Sequence, residues 1–255
     1  AIERQGDGET RYRLLETMRE YGQQRLRERG ARAACERRHA HYYMTLAERL
    51  EPRMAGQELQ RLQARVEREL DNIRAALRWS LGAGGEIEVG LRLAGALWRF
   101  WWLRGHFAEG RTHLEALLAH PEAEARTAAR AKALYALAVL IYRHADYEAG
   151  DQAVARALFD ECQAIYRDTG DLRMVAACLR ELGRVAIELG EYDVALPPLE
   201  EALAIDEELG DSYAVALTTS ALAWRSLFAG EYEAVAPYIA ACLPEFEAAG
   251  DVVYF

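Results

Sequence analysis

A Gly-Asp dipeptide recurs every 40 residues in the second half of the chain, at Gly170-Asp171, Gly210-Asp211 and Gly250-Asp251. Self-similarity at a step of this length is the signature of a repeat protein, in which each repeat is one supersecondary unit. A single unit cannot bury its apolar face alone, so neighbouring units stack into a solenoid. The interval therefore favours an elongated array that presents a binding surface over a compact catalytic domain.

An aromatic residue marks the same rhythm at Phe107, Tyr147, Tyr192 and Tyr232, with steps of 40, 45 and 40 residues. The longer middle step predicts five additional residues in the second unit. We place them around residues 148–154, either as a longer turn or as a lengthened helix.

From about residue 86 the chain resembles consecutive helix pairs of the tetratricopeptide type. The third unit has the clearest pattern, with Leu182-Gly183 in the first helix and Gly190-Glu191-Tyr192 at the following turn. Glycine at the turn permits the left-handed backbone conformation that ends a helix. We predict an all-α fold, with three leading helices and then a right-handed, tetratricopeptide-like superhelical solenoid of about four ~40-residue units.

Small residues are expected where the two helices of a unit cross closely. Gly183, Ala223 and Ala138 supply them in three units. In the first unit Trp98 stands at this position, and we expect Gly110 on the facing helix to compensate for its size.

The first part of the chain, residues 1–85, does not repeat, and we treat it as a region separate from the repeats of residues 86–255. A short strand at residues 10–16 is predicted to lead into a helix that ends at Gly30. Further helices are predicted at about 33–51 and 57–81, where apolar residues follow three- and four-residue steps. Because the chain lacks an initiator Met and the next unit should begin at residue 250, we expect it to be a fragment.

Charge and composition exclude several classes of function. Residues 1–80 contain 17 Arg against 13 Asp and Glu, whereas residues 81–255 contain 14 Lys and Arg against 28 Asp and Glu. An acidic solenoid repels nucleic acid, so direct binding to nucleic acid is not expected. No apolar stretch is long enough to span a membrane and no secretory signal is visible. We expect a cytoplasmic protein whose four cysteines are reduced core thiols.

No catalytic residue, cofactor or metal site is predicted. Cys35 and His39 share one helical face, but a zinc site needs three or four converging ligands. The acidic run at residues 200–208 is interpreted as the solvated face of an amphipathic helix. Trp98, Trp101 and Phe107 are interpreted as core residues.

The first helix of each tetratricopeptide unit lines the inner groove, so the register of the repeats predicts which side chains face it. These candidate groove residues are Arg99, Trp102, Tyr135, Tyr142, Arg143, Arg180, Arg184, Glu188, Trp224 and Phe228. Aromatic and Arg side chains are enriched at binding hot spots. Several of them could instead pack against adjacent helices. If the groove binds a ligand, Trp102→Ala or Arg184→Ala should weaken binding and leave the thermal midpoint nearly unchanged.

Four segments resemble one family of regulators. They are RYRLLETMREYGQQRL at 11–26, RRHAHYYMTLAE at 37–48, ERELDNIRAALRWSL at 67–81 and LAGALWRFWWLRGHFAEGRTHLEALL at 93–118. These segments are similar to the end of the winged-helix part, the linker and the first repeats of STAND-type ATPase transcriptional regulators, including the antibiotic-regulator and maltose-regulator-like groups. The resemblance implies a preceding ATPase module, an effector module at one end of the parent protein, and repeats that sense a signal.

This chain departs from the family because it has no GxxxxGK[ST] phosphate loop, and its only lysine, Lys132, has no glycines around it. Our first hypothesis is a non-catalytic sensor region that binds a small inducer or a protein in the groove and acts on the ATPase module of its parent chain. The alternative is a free-standing peptide-binding adaptor, while an enzyme has little support. We also expect the C-terminal repeat to expose an apolar face through which the fragment could self-associate.

Overall fold

The computed structural model describes residues 2–4, 10–12, 15–54, 58–144 and 150–250. The described elements are β1 (Ile2–Arg4), β2 (Thr10–Tyr12), α1 (Glu16–Glu28), α2 (Arg32–Leu50), α3 (Leu59–Leu81), α4 (Ile87–Arg104), α5 (Phe107–Leu118), α6 (Ala128–Tyr142), α7 (Asp151–Thr169), α8 (Leu172–Glu188), α9 (Tyr192–Glu208), α10 (Ser212–Phe228) and α11 (Tyr232–Ala249). The helices confirm the all-α solenoid. The two short strands form an antiparallel pair in which Ile2 lies opposite Tyr12.

The leading helices were predicted correctly. α2 ends at Leu50 and is followed by a short 3-10 turn, Glu51–Arg53, that contains Pro52. α3 buries one face composed of Leu62, Val66, Leu70, Ile73 and Leu77. The predicted apolar stripe of α1 does not form a buried face, because Leu15, Met18 and Tyr21 are exposed.

The Gly-Asp repeat has a direct structural explanation. Gly170 and Gly210 adopt φ angles of 75° and 65°, in the left-handed region where a Cβ atom is unfavourable. The aspartate that follows begins the next helix: Asp171 accepts a hydrogen bond from the backbone N–H of Met174, and Asp211 from that of Ala214. These two dipeptides therefore each end the second helix of one unit and cap the first helix of the next, whereas Asp251 of the third dipeptide lies outside the described residues.

The additional residues of the second unit lie in the connection between its two helices. Residues 143–150 join α6 to α7, whereas residues 189–191 and 229–231 make the corresponding connections in the next two units. α6 and α7 are therefore separated by eight residues where the later pairs are separated by three, and residues 145–149 of this connection lie outside the described residues. Tyr147, the aromatic marker of this unit, lies outside the described residues.

Close helix crossing requires small residues, as predicted, although one partner differs. A Cβ atom on Gly183 would lie 2.5 Å from Cγ of Leu199, so the two helices of unit three meet at this glycine. A Cβ atom on Gly110 would lie 2.8 Å from the Trp101 ring and 2.6 Å from Leu140. Gly110 therefore makes room for the buried Trp101, and not for Trp98.

The leading helices and the first repeats share one hydrophobic core, which continues from α2 as far as α9. Bidentate ion pairs reinforce the contact at its edge: Arg92 on α4 binds Glu48 on α2, and Arg74 on α3 binds Glu109 on α5. The division at residue 85 therefore separates a non-repeating from a repeating sequence within a continuous core. In the part of the chain that the structure describes, no helix is long and apolar enough to cross a membrane.

Substituting Gly183 with Ala should lower the free energy of unfolding by about 1–3 kcal/mol, because the new methyl group overlaps Leu199. Gly22→Ala is the matched control. Gly22 lies inside α1 with open space around it, so alanine there should be neutral or stabilising by up to about 1 kcal/mol. Urea unfolding followed by circular dichroism measures both, and equal stability of Gly183→Ala and the native chain would refute close crossing at this site.

Candidate binding groove

The first helix of each of the four repeats (α4, α6, α8 and α10) contributes to the lining of an open cavity of about 510 Å³ on the inner side of the solenoid. Its lining residues are Trp102, Tyr142, Arg143, Arg184, Ile187, Glu188, Ser220, Ala221, Trp224 and Phe228. The volume lies within the range of small-molecule sites, which is roughly 300–1,000 Å³.

Seven of the ten predicted groove residues line this one cavity. They are Trp102, Tyr142, Arg143, Arg184, Glu188, Trp224 and Phe228. The register argument therefore located a real concavity, and whether it binds a ligand stays a prediction.

Aromatic rings form two parts of the wall. On α4, Trp102 stacks on Trp98 with ring centroids 6.1 Å apart and an interplanar angle of 13°, and the guanidinium group of Arg143 lies 4.9 Å from the Trp102 ring centroid. On α10, Trp224 and Phe228 stack at 5.7 Å and 19°. Trp224 and Phe228 are 57% and 55% exposed, so these rings offer apolar surface that the described residues leave open.

A buried carboxylate, Glu181, organises the positive charges of the groove. Its oxygens accept hydrogen bonds from Arg184 at 3.2 Å and from Arg143 at 3.4 Å. Burial by itself raises the pKa of Glu181, but the guanidinium groups of Arg184, Arg143 and Arg180 outweigh burial and hold it below the ordinary value. Glu181 is therefore ionised at neutral pH and offsets part of the arginine charge.

A second pair crosses the groove from α6 to α8. The hydroxyl group of Tyr142 donates a hydrogen bond of 2.8 Å to Glu188. Burial raises the pKa of Tyr142, and the nearby Glu181 and Glu188 raise it further. The phenol therefore remains neutral and acts as a donor to Glu188.

Three predicted groove residues do not line the cavity. Arg180 is buried and donates hydrogen bonds to Asp206 at 3.0 Å and to Thr218 at 2.8 Å. Tyr135 is buried with its ring edge-on to Trp98 and Phe159.

The third of these residues, Arg99, lies with its guanidinium group 5.5 Å from the Trp98 ring centroid. Helical register gives the direction of each Cβ atom, but it does not show which long side chains bend back to a partner inside the protein.

The environment of Arg180 also corrects the interpretation of the acidic run on α9. Asp206 is only 1% exposed and accepts a second hydrogen bond from Thr218 at 2.7 Å. Burial raises the pKa of Asp206, and Thr218 and Arg180 counteract this by binding the charged form. This carboxylate belongs to the buried contact between units, and not to the solvated face.

Sequence reasoning missed Glu181, Ile187, Ser220 and Ala221. Ile187 could have been found, because it occupies the register position of Trp102 and Tyr142, 45 residues after Tyr142. Glu181 carries no such signal, since a glutamate on a helix is usually exposed and only the arginines of two helices reveal its role.

Within the described ranges, no group of three or more His, Cys, Asp or Glu residues is arranged to hold a metal ion. The Trp101 indole N–H is buried and has no hydrogen-bond partner among the residues that the structure describes. It lies in the core beside Gly110, and not in the groove.

Stacked helix pairs, glycine turns and an inner groove together define a tetratricopeptide-like solenoid. Residues 144–208 match the family described as "Tetratricopeptide repeat". One similar solved structure is BtubC (BKLC) from P. vanneervenii, with a TM-score of 0.61 and 17% identity; the match covers 85% of this chain and 90% of that one. Another is the "Podosopora anserina putative kinesin light chain", with a TM-score of 0.57 and 16% identity; the match covers 81% of this chain and 95% of that one. At these identities the likeness concerns the fold alone.

Three curated proteins are similar to this chain in sequence. Over 178 residues the chain is 37% identical to proteins named "Putative HTH-type transcriptional regulator" in Mycobacterium tuberculosis and Mycobacterium bovis. The aligned region covers 67% of this chain and 20% of each relative. The chain thus spans about a fifth of the length of the curated relatives it matches.

Replacing Glu181 with Gln should destabilise the protein by about 3 kcal/mol at pH 7, because two arginines lose their buried counter-charge. The pKa of Glu181 is lowered on folding from its ordinary value of 4.5. The carboxylate therefore stabilises the fold above that pH, and this contribution is lost as the pH falls through the lowered pKa.

The difference in unfolding free energy between the native chain and Glu181→Gln should accordingly shrink below about pH 4.5. Chemical denaturation from pH 7 to pH 3 measures it. Glu188→Gln, at an exposed position on the same helix, is the control and should change stability by less than about 1 kcal/mol. A pH-independent difference for Glu181→Gln would contradict this assignment.

Proposed function

We propose that this chain is the non-catalytic sensor and interaction region of a cytoplasmic transcriptional regulator, and that its inner groove binds an inducer or a partner protein. The proposal extends to a parent protein of the STAND ATPase class, in which hydrolysis and promoter binding belong to other modules. The observation that carries it is the cavity formed jointly by α4, α6, α8 and α10, because a ligand there touches four repeats at once.

The named relatives support the regulatory part of the proposal. They are called HTH-type transcriptional regulators, and this chain spans about a fifth of their length. The segment at 11–26, which resembles the end of the winged-helix part of these regulators, and the segment at 67–81, which resembles the linker, belong to the leading region. A sensor at this position would change the resting state of a neighbouring module through a difference in ligand affinity between two states.

A contiguous set of contacts joins the groove to the leading helices. Trp102 lines the cavity and stacks on Trp98. The Trp98 indole N–H donates a hydrogen bond of 3.2 Å to Glu51, at the end of α2. Lys132 on α6 forms an ion pair with the same carboxylate. We propose that ligand binding acts on the leading helices through this contact, which would need two alternative arrangements to transmit a signal.

The proposal includes self-association through the apolar face of α10 and α11. Leu227, Ile239 and Leu243 are exposed on this face. Their counterparts 40 residues earlier include Ile187 and Leu199, which α10 covers in a small core with Ala221 and Leu222. A helix that packs on this face as α10 packs on α8 and α9 would cover it. A second copy of this chain would supply such a helix.

The regulatory role is tested by placing Trp224→Ala and Phe228→Ala in the whole protein in its native host and sequencing its transcripts. Both residues are more than half exposed, so truncation should spare the fold, unlike Trp102 and Arg184, which are partly buried against Trp98 and Glu181. We expect each variant to change, by at least about threefold, transcripts that also respond to deletion of the gene.

The control is Tyr232→Ala, which removes an aromatic ring that is 70% exposed and does not line the cavity. It should leave the transcripts unchanged. If deletion of the gene itself alters no transcript, the regulator proposal fails and the adaptor alternative is favoured. If the purified whole protein does not hydrolyse ATP, the STAND ATPase part fails separately.

Self-association is tested by sedimentation equilibrium of the chain with Ile239→Asp. A charge in the centre of the apolar face should weaken a dimer by at least about tenfold. Val154→Asp is the matched control, because Val154 is exposed to a similar degree on α7, away from this face. A native chain that stays monomeric, or equal dimerisation of both variants, would contradict the proposal.

A further inference from the structure

We propose that the groove is selective for an uncharged, flat aromatic ring. This inference rests on the proposed binding function and specifies the ligand chemistry of the same cavity. Three observations carry it: the charge balance around the cavity, the internal use of its hydroxyl groups and the open aromatic surface on α10.

The charges that face the cavity are balanced within the protein. Arg143 and Arg184 both bind the buried Glu181, and Glu188 accepts a hydrogen bond from Tyr142. Among the described residues, the three charged groups of the lining, Arg143, Arg184 and Glu188, and the buried Glu181 that binds both arginines sum to a formal charge of zero. A charged ligand would have to compete with these contacts or be buried without a counter-ion, and burying an unpaired charge is costly. The lining therefore disfavours anions, although two arginines are present.

The uncharged polar groups of the lining are also engaged. The Ser220 hydroxyl donates a hydrogen bond of 2.8 Å to the Leu217 carbonyl oxygen on its own helix, and the Tyr142 hydroxyl donates to Glu188. A sugar presents many hydroxyl groups, and a site that recognises one must supply a matching set of donors and acceptors. Both hydroxyl protons of this lining are committed inside the protein, and its further donors are the remaining arginine N–H groups and the indole N–H groups. Without a free hydroxyl donor the lining matches a sugar less well than an aromatic ring.

The remaining lining is apolar and planar. Trp224 and Phe228 form a stacked pair that is more than half exposed, and Ile187 and Ala221 contribute smaller apolar surface beside them. Trp102 is already covered by Trp98 and by Arg143, so the α10 pair is the surface on which a ring can stack. Aromatic rings prefer offset stacking at centroid distances of about 4.5–7 Å.

The inference is tested with N-phenylnaphthylamine, a neutral fluorescent aromatic probe, and its sulfonated analogue, anilinonaphthalene sulfonate. The two share a ring system and differ by one negative charge. We expect the neutral probe to bind the native chain with a dissociation constant at least about tenfold lower than the sulfonate. Tighter binding of the sulfonate would overturn the proposal, because it would show an anion site.

Variants locate the binding site of the probe. Phe228→Ala should weaken binding of the neutral probe by at least about tenfold, and the external Tyr232→Ala should not change it. A second apolar groove between α10 and α11 is lined by Ile239 and does not include Phe228. Loss of binding in Ile239→Ala with normal binding in Phe228→Ala would place the probe there and overturn the proposal.

Competition with indole and with N-acetyltryptophanamide distinguishes a free aromatic molecule from an aromatic side chain of a protein. Displacement by indole alone supports a small ligand, displacement by both supports a peptide side chain as well, and displacement by neither overturns the ring specificity.

The regulatory proposal can fail independently of the proposed ligand class. If Phe228→Ala alters transcription but not probe binding, the ligand class is wrong and the regulatory role stands. If it weakens probe binding but leaves transcription unchanged, the ligand class stands and the regulatory role is wrong.

Discussion

The stacking of each helix pair on the next is the constraint on which the rest of this structure depends. Ile187 on α8 and Leu199 on α9 are buried in one cluster with Ala221 and Leu222 on α10. The close crossing of Gly183 and Leu199 aligns the two helices of a unit so that they present one continuous apolar face to their neighbour. Since the first helices α4, α6, α8 and α10 stack in this way along one side of the array, they line one cavity, and the groove is a geometric consequence of core formation.

Buried polar contacts add a second level of specification to this stacking. Arg180 on α8 reaches Asp206 on α9 and Thr218 on α10, so three successive helices meet in one hydrogen-bonded cluster. Arg143 at the end of α6 reaches Glu181 on α8 across the boundary between units. Breaking one partner of a buried pair leaves a charge without compensation, which is strongly destabilising. The observed stacking brings the partners of these clusters together, and Glu181 offsets part of the arginine charge at the groove.

Part of the candidate site could be predicted because a repeat projects equivalent residues in the same direction. Trp102, Tyr142 and Ile187 occupy one register position and line one cavity. Register failed for Arg180 and Tyr135, since their side chains find partners inside the protein. A long side chain has many conformations, and the one adopted by Arg180 depends on neighbours that lie 26 to 38 residues away along the chain.

The sequence by itself determined the solenoid, its 40-residue rhythm and its turns, because glycine conformation, aspartate capping and helical periodicity act over a few neighbouring residues. Only the tertiary structure decided which polar residues are buried. It placed Asp206 inside, surrounded Glu181 with arginines and brought the sulfur atoms of Cys162 and Cys178 to 3.2 Å. These outcomes depend on side chains from different helices meeting in a dry interior, and the distance between two helices is not encoded in the local pattern of either.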